Sequence, residues 1–405
     1  MFHVIPAHQS RPADDPIFAL NREATDRKKK GEAILNATVG ALLDDDGNLA
    51  VLPSAARAVK EVPEGEWAAY APIAGNPDFL QAVVADLFGS DDTLRACAIA
   101  SATPGGSGAL RHAISNYLEP GQAVLTTSHF WGPYQTLADE ADRKVATFPM
   151  FAADGGLDVD ALDREVGRLA KEQGRVLLFL NDPCHNPTGY SMTRDEWTRV
   201  TACLLRHAAT TPVTLLVDCA YAAYGAGDPR AFTKDLHPLL GKVGLLFAWS
   251  ASKTFTHYGL RVGALVACVP DAKDRAATDA ALSYSARGTW SNCNRGGLRA
   301  VTRLLTDPAL AASCAKERDG LKALLTARVN RWNALAKPAG LKYPRYDGGF
   351  FVTVFTPDAA AKAAAMRVDG VFVVPQRESI RVALCSVAER DVERLVQILA
   401  KHLGS

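Results

Sequence analysis

No stretch of this chain reaches the about 18 uninterrupted apolar residues expected of a membrane-spanning helix. The N-terminus, MFHVIPAHQSRPADDP, has neither the charged segment nor the apolar run of a secretory signal. Eight cysteines are present, but they form no CxxC pair and no regular framework. That excludes a disulfide scaffold and points to free thiols in a reducing compartment, so a cytoplasmic protein is expected. The net charge is +1, which leaves no bulk attraction for nucleic acid or an anionic membrane. The one basic run, Arg27 to Lys30, lies among polar residues and reads as a solvated helical face. Internal repeats and low-complexity stretches are also missing.

What remains is an ordinary globular composition, 48% hydrophobic and 22% charged over 405 residues. Such a length suggests two or three domains and buries a sizeable core without staples. Five segments read as strands buried on both faces, being rich in Val and Leu with little alternation: Ala123–Thr127, Arg175–Leu180, Val213–Asp218, Val243–Trp249 and Val262–Val269. Helical periodicity separates several of them, as in Arg194–Ala208. The alternation predicts an α/β fold: a large domain with a mostly parallel central sheet, over 47–310. Beyond it come long helices, then short strands at Gly349–Phe355 and Ser379–Leu384. With residues 1–46, the segment 311–405 is expected to make a smaller α/β domain.

In parallel sheets, ligand-binding residues gather where strands end. Lys253 follows one such strand, in FAWSASKTFTHYGLRVGAL, with Ser250 three residues before it and Arg261 eight after. A lysine held partly from water is an amine nucleophile, and a hydroxyl with a permanent cation suits a phosphate. Asp218 ends the apolar run VTLLVD and needs a cationic or hydrogen-bonding partner if buried. Tyr221 stands three residues on. The loop NDPCHNPTGY, fixed by prolines and a glycine, holds Asn186. TPGGSGALR places Gly106 and Ser107 at a helix start, where amides and a hydroxyl attract anions. Trp131 follows another strand, in SHFWGPY. Taken singly, each feature also has an ordinary reading. Lys253 fits a surface loop, Asp218 a helix N-cap, Tyr221 a packed rim and Trp131 the core. Cys184 and His185 lack further ligands at metal-binding spacing.

In this order, the segments resemble fold-type I pyridoxal-phosphate enzymes, specifically the aspartate/aromatic aminotransferase family (class I/II). The likeness begins at DPIFALNREA and LNATVG, which puts Gly40 at the substrate-side glycine, and runs to SIRVALCS. It implies pyridoxal 5′-phosphate as cofactor, with Lys253 as Schiff-base lysine and mover of the proton between substrate and cofactor. Asp218 then faces the ring nitrogen, Tyr221 and Asn186 the ring hydroxyl, and Trp131 the ring face. Gly106, Ser107, Ser250 and Arg261 take the phosphate, joined by Tyr70 of YAPIAGNPDF from a neighbouring subunit. A homodimer with shared active sites follows. Arg381 is implied to bind the substrate α-carboxylate. The resemblance implies amino-acid and 2-oxo-acid substrates.

Two departures stand out. Dicarboxylate-specific members carry an arginine three residues before a tyrosine in the segment that here reads ALSYSARGTW, where Ala281 stands instead. An aromatic or other non-dicarboxylic side chain is therefore favoured, with Arg287 as the alternative clamp. Tyr134 occupies a position where relatives place a histidine supporting the aspartate. A carbon–sulfur β-lyase or an amino-acid decarboxylase on the same scaffold is the main alternative activity. A PLP-sensing transcription regulator is disfavoured, because the match starts near Asp15 and no DNA-binding module precedes it.

Overall fold

The computed structural model describes residues 3–12 and 15–403. In chain order its strands are β1 (Leu35–Asn36), β2 (Ala98–Pro104), β3 (Ala123–Thr127), β4 (Lys144–Phe148), β5 (Val176–Asn181) and β6 (Val213–Asp218). Then come β7 (Gly244–Ser250), β8 (Val262–Cys268), β9 (Val352–Phe355), β10 (Val371–Phe372), β11 (Val374–Gln376) and β12 (Ser379–Val382). Contacts divide the chain into two units. One comprises Met1–Leu49, Ala327–Tyr343 and Phe351–Ser405, the other Ala50–Thr326 and Pro344–Phe350. The expected lines lay at 46/47 and 310/311. The contact division falls instead inside the helix Pro308–Ala336, which runs on unbroken past Gly320 and so gives a sequence reading no boundary to find.

The larger unit holds a seven-stranded sheet in the order β2-β8-β7-β6-β5-β3-β4. All pairings are parallel except those of β8, which runs antiparallel to β2 and β7. Every residue of β5 and β8 is buried, as their unbroken apolar runs require when helices cover both faces. The helix Arg194–Ala208 starts with a capping box in which Thr193 and Glu196 bond each other's backbone amides, satisfying donors that a helix start leaves open.

Register brings the chemistry to one edge. Asn181 lies opposite Asp218, which lies opposite Ala248, at the carboxyl ends of β5, β6 and β7. Because β8 is reversed, its beginning meets the ends of its neighbours: Val262 pairs with Pro104 and Gly263 with Ser250. Arg261, just before β8, thus belongs to the same rim as Ser250 and the start of the helix Gly105–Tyr117.

In the smaller unit β1 pairs in parallel with β10, tying the N-terminal segment to the C-terminal part, and β11-β12-β9 make an antiparallel sheet. The strand expected from Gly349 begins only at Val352. Gly349 takes φ 85, a left-handed conformation, and a Cβ there would collide with Cys184. Among the described residues, no helix is long and apolar enough to cross a membrane.

Candidate active site

At the rim of the large sheet, Lys253 lies half-buried in the short helix Ala251–Thr254 that follows β7. Three rings surround its ammonium nitrogen, with Tyr258 4.6 Å, Tyr221 5.6 Å and Phe350 5.7 Å from Nζ to ring centre. Such a setting holds the side chain in one place and limits its hydration.

Asp218 is 6% exposed. Its Oδ2 accepts from the Tyr134 hydroxyl at 2.8 Å and its Oδ1 from the Ala220 amide at 3.2 Å, so it does not cap a helix. Neither partner is charged, and no salt bridge reaches Asp218 among the described residues. Burial pushes its pKa up to about 6, against the opposing pull of those two bonds. Tyr134 is itself buried, which drives its phenol well above the ordinary range, so it acts as a neutral donor.

Beside Asp218, Asn186 donates from Nδ2 to the Tyr221 hydroxyl at 3.2 Å. Its Oδ1 is buried without a protein partner among the described residues, bonding capacity that a polar ring substituent would use. The Asn186 loop is pinned by Asn181, whose Oδ1 accepts the Asn186 amide at 2.6 Å while its Nδ2 donates to the Asp218 carbonyl at 2.7 Å. His185 spends its ring nitrogens on Thr188 at 2.8 Å and Thr127 at 3.3 Å. Trp131 is partly buried, edge-on to Tyr134 at 6.0 Å.

The residues expected to take an anion meet at the same rim. Arg261 adopts φ 55, a strained left-handed conformation for a side-chain-bearing residue. Its guanidinium donates to the carbonyls of Tyr258 (2.8 Å) and Pro104 (3.5 Å) and to Ser252 Oγ (3.4 Å). No carboxylate pairs with it among the described residues. A Cβ on Gly105 would overlap the guanidinium, and one on Gly106 would come 3.5 Å from Ser250 Cβ. Two glycines, the helix-start amides, Ser107 in the first turn, Ser250 and an arginine thus stand at one rim, donor types that suit an anion.

Elsewhere the predicted residues form separate groups. In the small unit, Arg381 is buried, donates from Nη2 to the Thr38 carbonyl at 2.6 Å and stacks 4.6 Å from the Phe351 ring centre. A Cβ on Gly40 would run into that same ring. Tyr70 is exposed in the single chain. Arg287 is exposed on the helix Ala272–Thr289 and donates to Ser291 Oγ at 2.6 Å; the structure shows no bond from it to the Lys253 cluster. Ala281 is exposed on the same helix. Sequence reasoning missed Asn181, Ser252, Tyr258 and Phe350. Ser252, a second hydroxyl before the lysine, was the legible one.

The sequence pattern of the family described as aminotransferase class I and II matches residues 32–399. The chain is 31% identical over 312 residues to an aromatic-amino-acid aminotransferase of Pseudomonas aeruginosa, covering 75% of this chain and 74% of that protein. It is 28% identical to a tyrosine aminotransferase of Klebsiella pneumoniae over 412 residues, covering 98% of each. A solved aminotransferase from Anaerococcus prevotii superposes with a TM-score of 0.93 at 31% identity, covering both chains completely.

Proposed function

This chain belongs to the aminotransferase class I and II family, and from that premise we propose that it moves the amino group of an aromatic L-α-amino acid to a 2-oxo acid. The observation that carries the reading is Asp218, a buried carboxylate with only neutral partners among the described residues, at the same rim as Asn186 and as Tyr221, whose ring faces Lys253. A protonated pyridine nitrogen is the cation it lacks. Bound there, pyridoxal 5′-phosphate supplies an aldehyde that captures amino groups and a ring that takes up electron density from Cα.

Each residue then has a task. Lys253 would hold the cofactor through its amine and would take or return a proton at the substrate's Cα. Asp218 keeps the ring nitrogen protonated. Tyr221, Asn186 and Trp131 would hold the ring in place. Gly106, Ser107, Ser250 and Arg261 hold the phosphate, with Tyr70 contributed across a homodimer. Arg381 binds the α-carboxylate, with Gly40 beside it. The aromatic preference rests on Ala281, which cannot bind a distal carboxylate, and on the aromatic and tyrosine substrates named for the relatives. A cytoplasmic location accords with the free thiols.

The test is a half-reaction screen: holoenzyme mixed with single amino acids, without acceptor, while the cofactor's absorbance is followed. Conversion to the amine form by tyrosine or phenylalanine faster than by aspartate is expected, and Lys253→Ala should retain cofactor without converting it. Fast aspartate would overturn the aromatic reading in favour of Arg287 as a clamp. Ammonia or carbon dioxide without conversion would replace transamination by lyase or decarboxylase chemistry.

A further inference from the structure

Away from the lysine, two helices of the large unit, Val159–Gln173 and Arg194–Ala208, share a cluster that the proposed reaction does not use. Cys203 and His207 stand four residues apart and so occupy one helical face. Asp163 of the other helix presents a single oxygen, Oδ1, to both: 2.8 Å from His207 Nε2 and 3.3 Å from Cys203 Sγ. Among the described residues this is the sole group of three His, Cys or carboxylate side chains whose donor atoms all lie within 4.8 Å of one another.

The surroundings make room for it. Gly167 lies one turn beyond Asp163, and a Cβ there would come 3.2 Å from His207 Cε1. Glycine inside a helix costs about 1 kcal/mol relative to alanine, and the imidazole occupies the space it leaves. Cys203 is buried, while the side chains of His207 and Asp163 remain 23% and 39% exposed. The cluster thus closes on the sulfur side and opens to water on the other. Among the described residues its competitor is Arg206, whose exposed guanidinium reaches the same Asp163 oxygen at 3.0 Å. An exposed pair of that kind is worth at most about 1 kcal/mol, so it yields readily.

We propose that Cys203 Sγ, His207 Nε2 and Asp163 Oδ1 bind one zinc-class divalent ion, with water as fourth ligand, clipping the two helices together. The donor set selects the ion: sulfur and imidazole favour zinc-like metals, whereas magnesium and calcium require oxygen cages. Tetrahedral bonds of roughly 2.0–2.3 Å need donor separations of roughly 3.3–3.7 Å, so the two separations from Asp163 Oδ1 open by about half an ångström or less. The ion displaces both hydrogens now directed at Asp163 Oδ1: the Cys203 thiol proton leaves to solvent, His207 takes the tautomer protonated at Nδ1 so that Nε2 is free to ligate, and Arg206 turns outward. Because a thiol must lose its proton to ligate, binding releases a proton and tightens as pH rises.

The experiment titrates reduced holoenzyme with Co²⁺, a spectroscopic stand-in for zinc, and then displaces it with Zn²⁺. One equivalent is expected, with the intense visible bands of four-coordinate cobalt and a thiolate charge-transfer band. Both should vanish in Cys203→Ser, and affinity should fall at least roughly tenfold in His207→Gln. Far-ultraviolet circular dichroism shows whether each variant folds. Weak six-coordinate cobalt bands in the native protein, or undiminished binding by folded Cys203→Ser, would overturn the site. Neither readout depends on turnover, so failure here leaves the aminotransferase reading untouched.

Discussion

Glu196 and Asp218 are equally buried in the large unit, each 6% exposed, yet they are built oppositely. Glu196 accepts from the amides of Leu157 and Thr193 at 2.7 Å each, from the Thr193 hydroxyl at 3.0 Å and from the Tyr190 hydroxyl, with Arg345 at 3.4 Å. Burial works to raise its pKa, but the Thr193 amide, the Tyr190 hydroxyl and the other donors bring it below the ordinary value. Asp218 has one phenol and one amide, and burial wins, to about 6. A carboxylate that only braces structure is saturated with donors. One left short of positive charge is prepared for a ligand that brings it.

The two therefore respond to pH with opposite sign. Glu196, with its folded pKa lowered, contributes stability above its unfolded pKa and loses it as pH falls through the folded value. Asp218, with its folded pKa raised from 3.8 to about 6, costs the apoprotein stability as pH rises through that window.

The strongest way to break the comparison is Asp218→Asn. An amide matches the carboxylate in shape but offers the ring nitrogen no negative charge. Turnover should fall about 10²- to 10⁴-fold, the equivalent of roughly 3–5 kcal/mol for removing one partner of a buried charge pair. Apoprotein carrying the change should lose less stability than the native apoprotein between about pH 4 and pH 6, as read by thermal melts across that range. Turnover within threefold of native would remove Asp218 from the site.

Glu196→Gln probes the other member. It leaves donors facing an amide nitrogen, and about 1–3 kcal/mol of stability should go. Turnover per folded holoenzyme should not change, since Glu196 serves the turn around Leu157 and the start of its own helix. A melt unchanged alongside lowered turnover would reverse the roles assigned to the two carboxylates.

How much of this was legible in the sequence follows from the same physics. β3 and β6 match their expected spans, and β5, β7 and β8 differ by one residue at their ends, because burial on both faces leaves unbroken Val and Leu runs. β2 and β4 went unread. AIASATP is small and hydroxyl-rich, ending in proline, and KVATF is a sheet edge, half in water. In the site, Lys253, Asp218, Asn186 and Arg261 sit in compact motifs at strand ends. Phe350 does not: it reaches Lys253 because Pro344–Phe350 returns to the large unit. Local pattern carries no trace of that return.

Tyr134→Phe sharpens the comparison most gently. It removes the 2.8 Å bond to Asp218 Oδ2 and leaves the ring's volume and its edge contacts with Phe179 and Trp131 in place. A hydrogen bond to a charged acceptor is worth about 1.5–3 kcal/mol, and a bound pyridinium would offset part of its loss, so turnover should drop by roughly tenfold. The telling readout is the pH profile. That bond favours the ionised carboxylate, so its removal raises the pKa of Asp218, and the acid limb of kcat/KM should move to higher pH. Tyr134→His separates the bond from the hydroxyl itself. An imidazole donating to the same oxygen should bring the acid limb back down, further than tyrosine does if it carries charge. A limb that stays put in both variants would mean that the cofactor alone sets the ionisation of Asp218, and that the phenol merely fills space behind it.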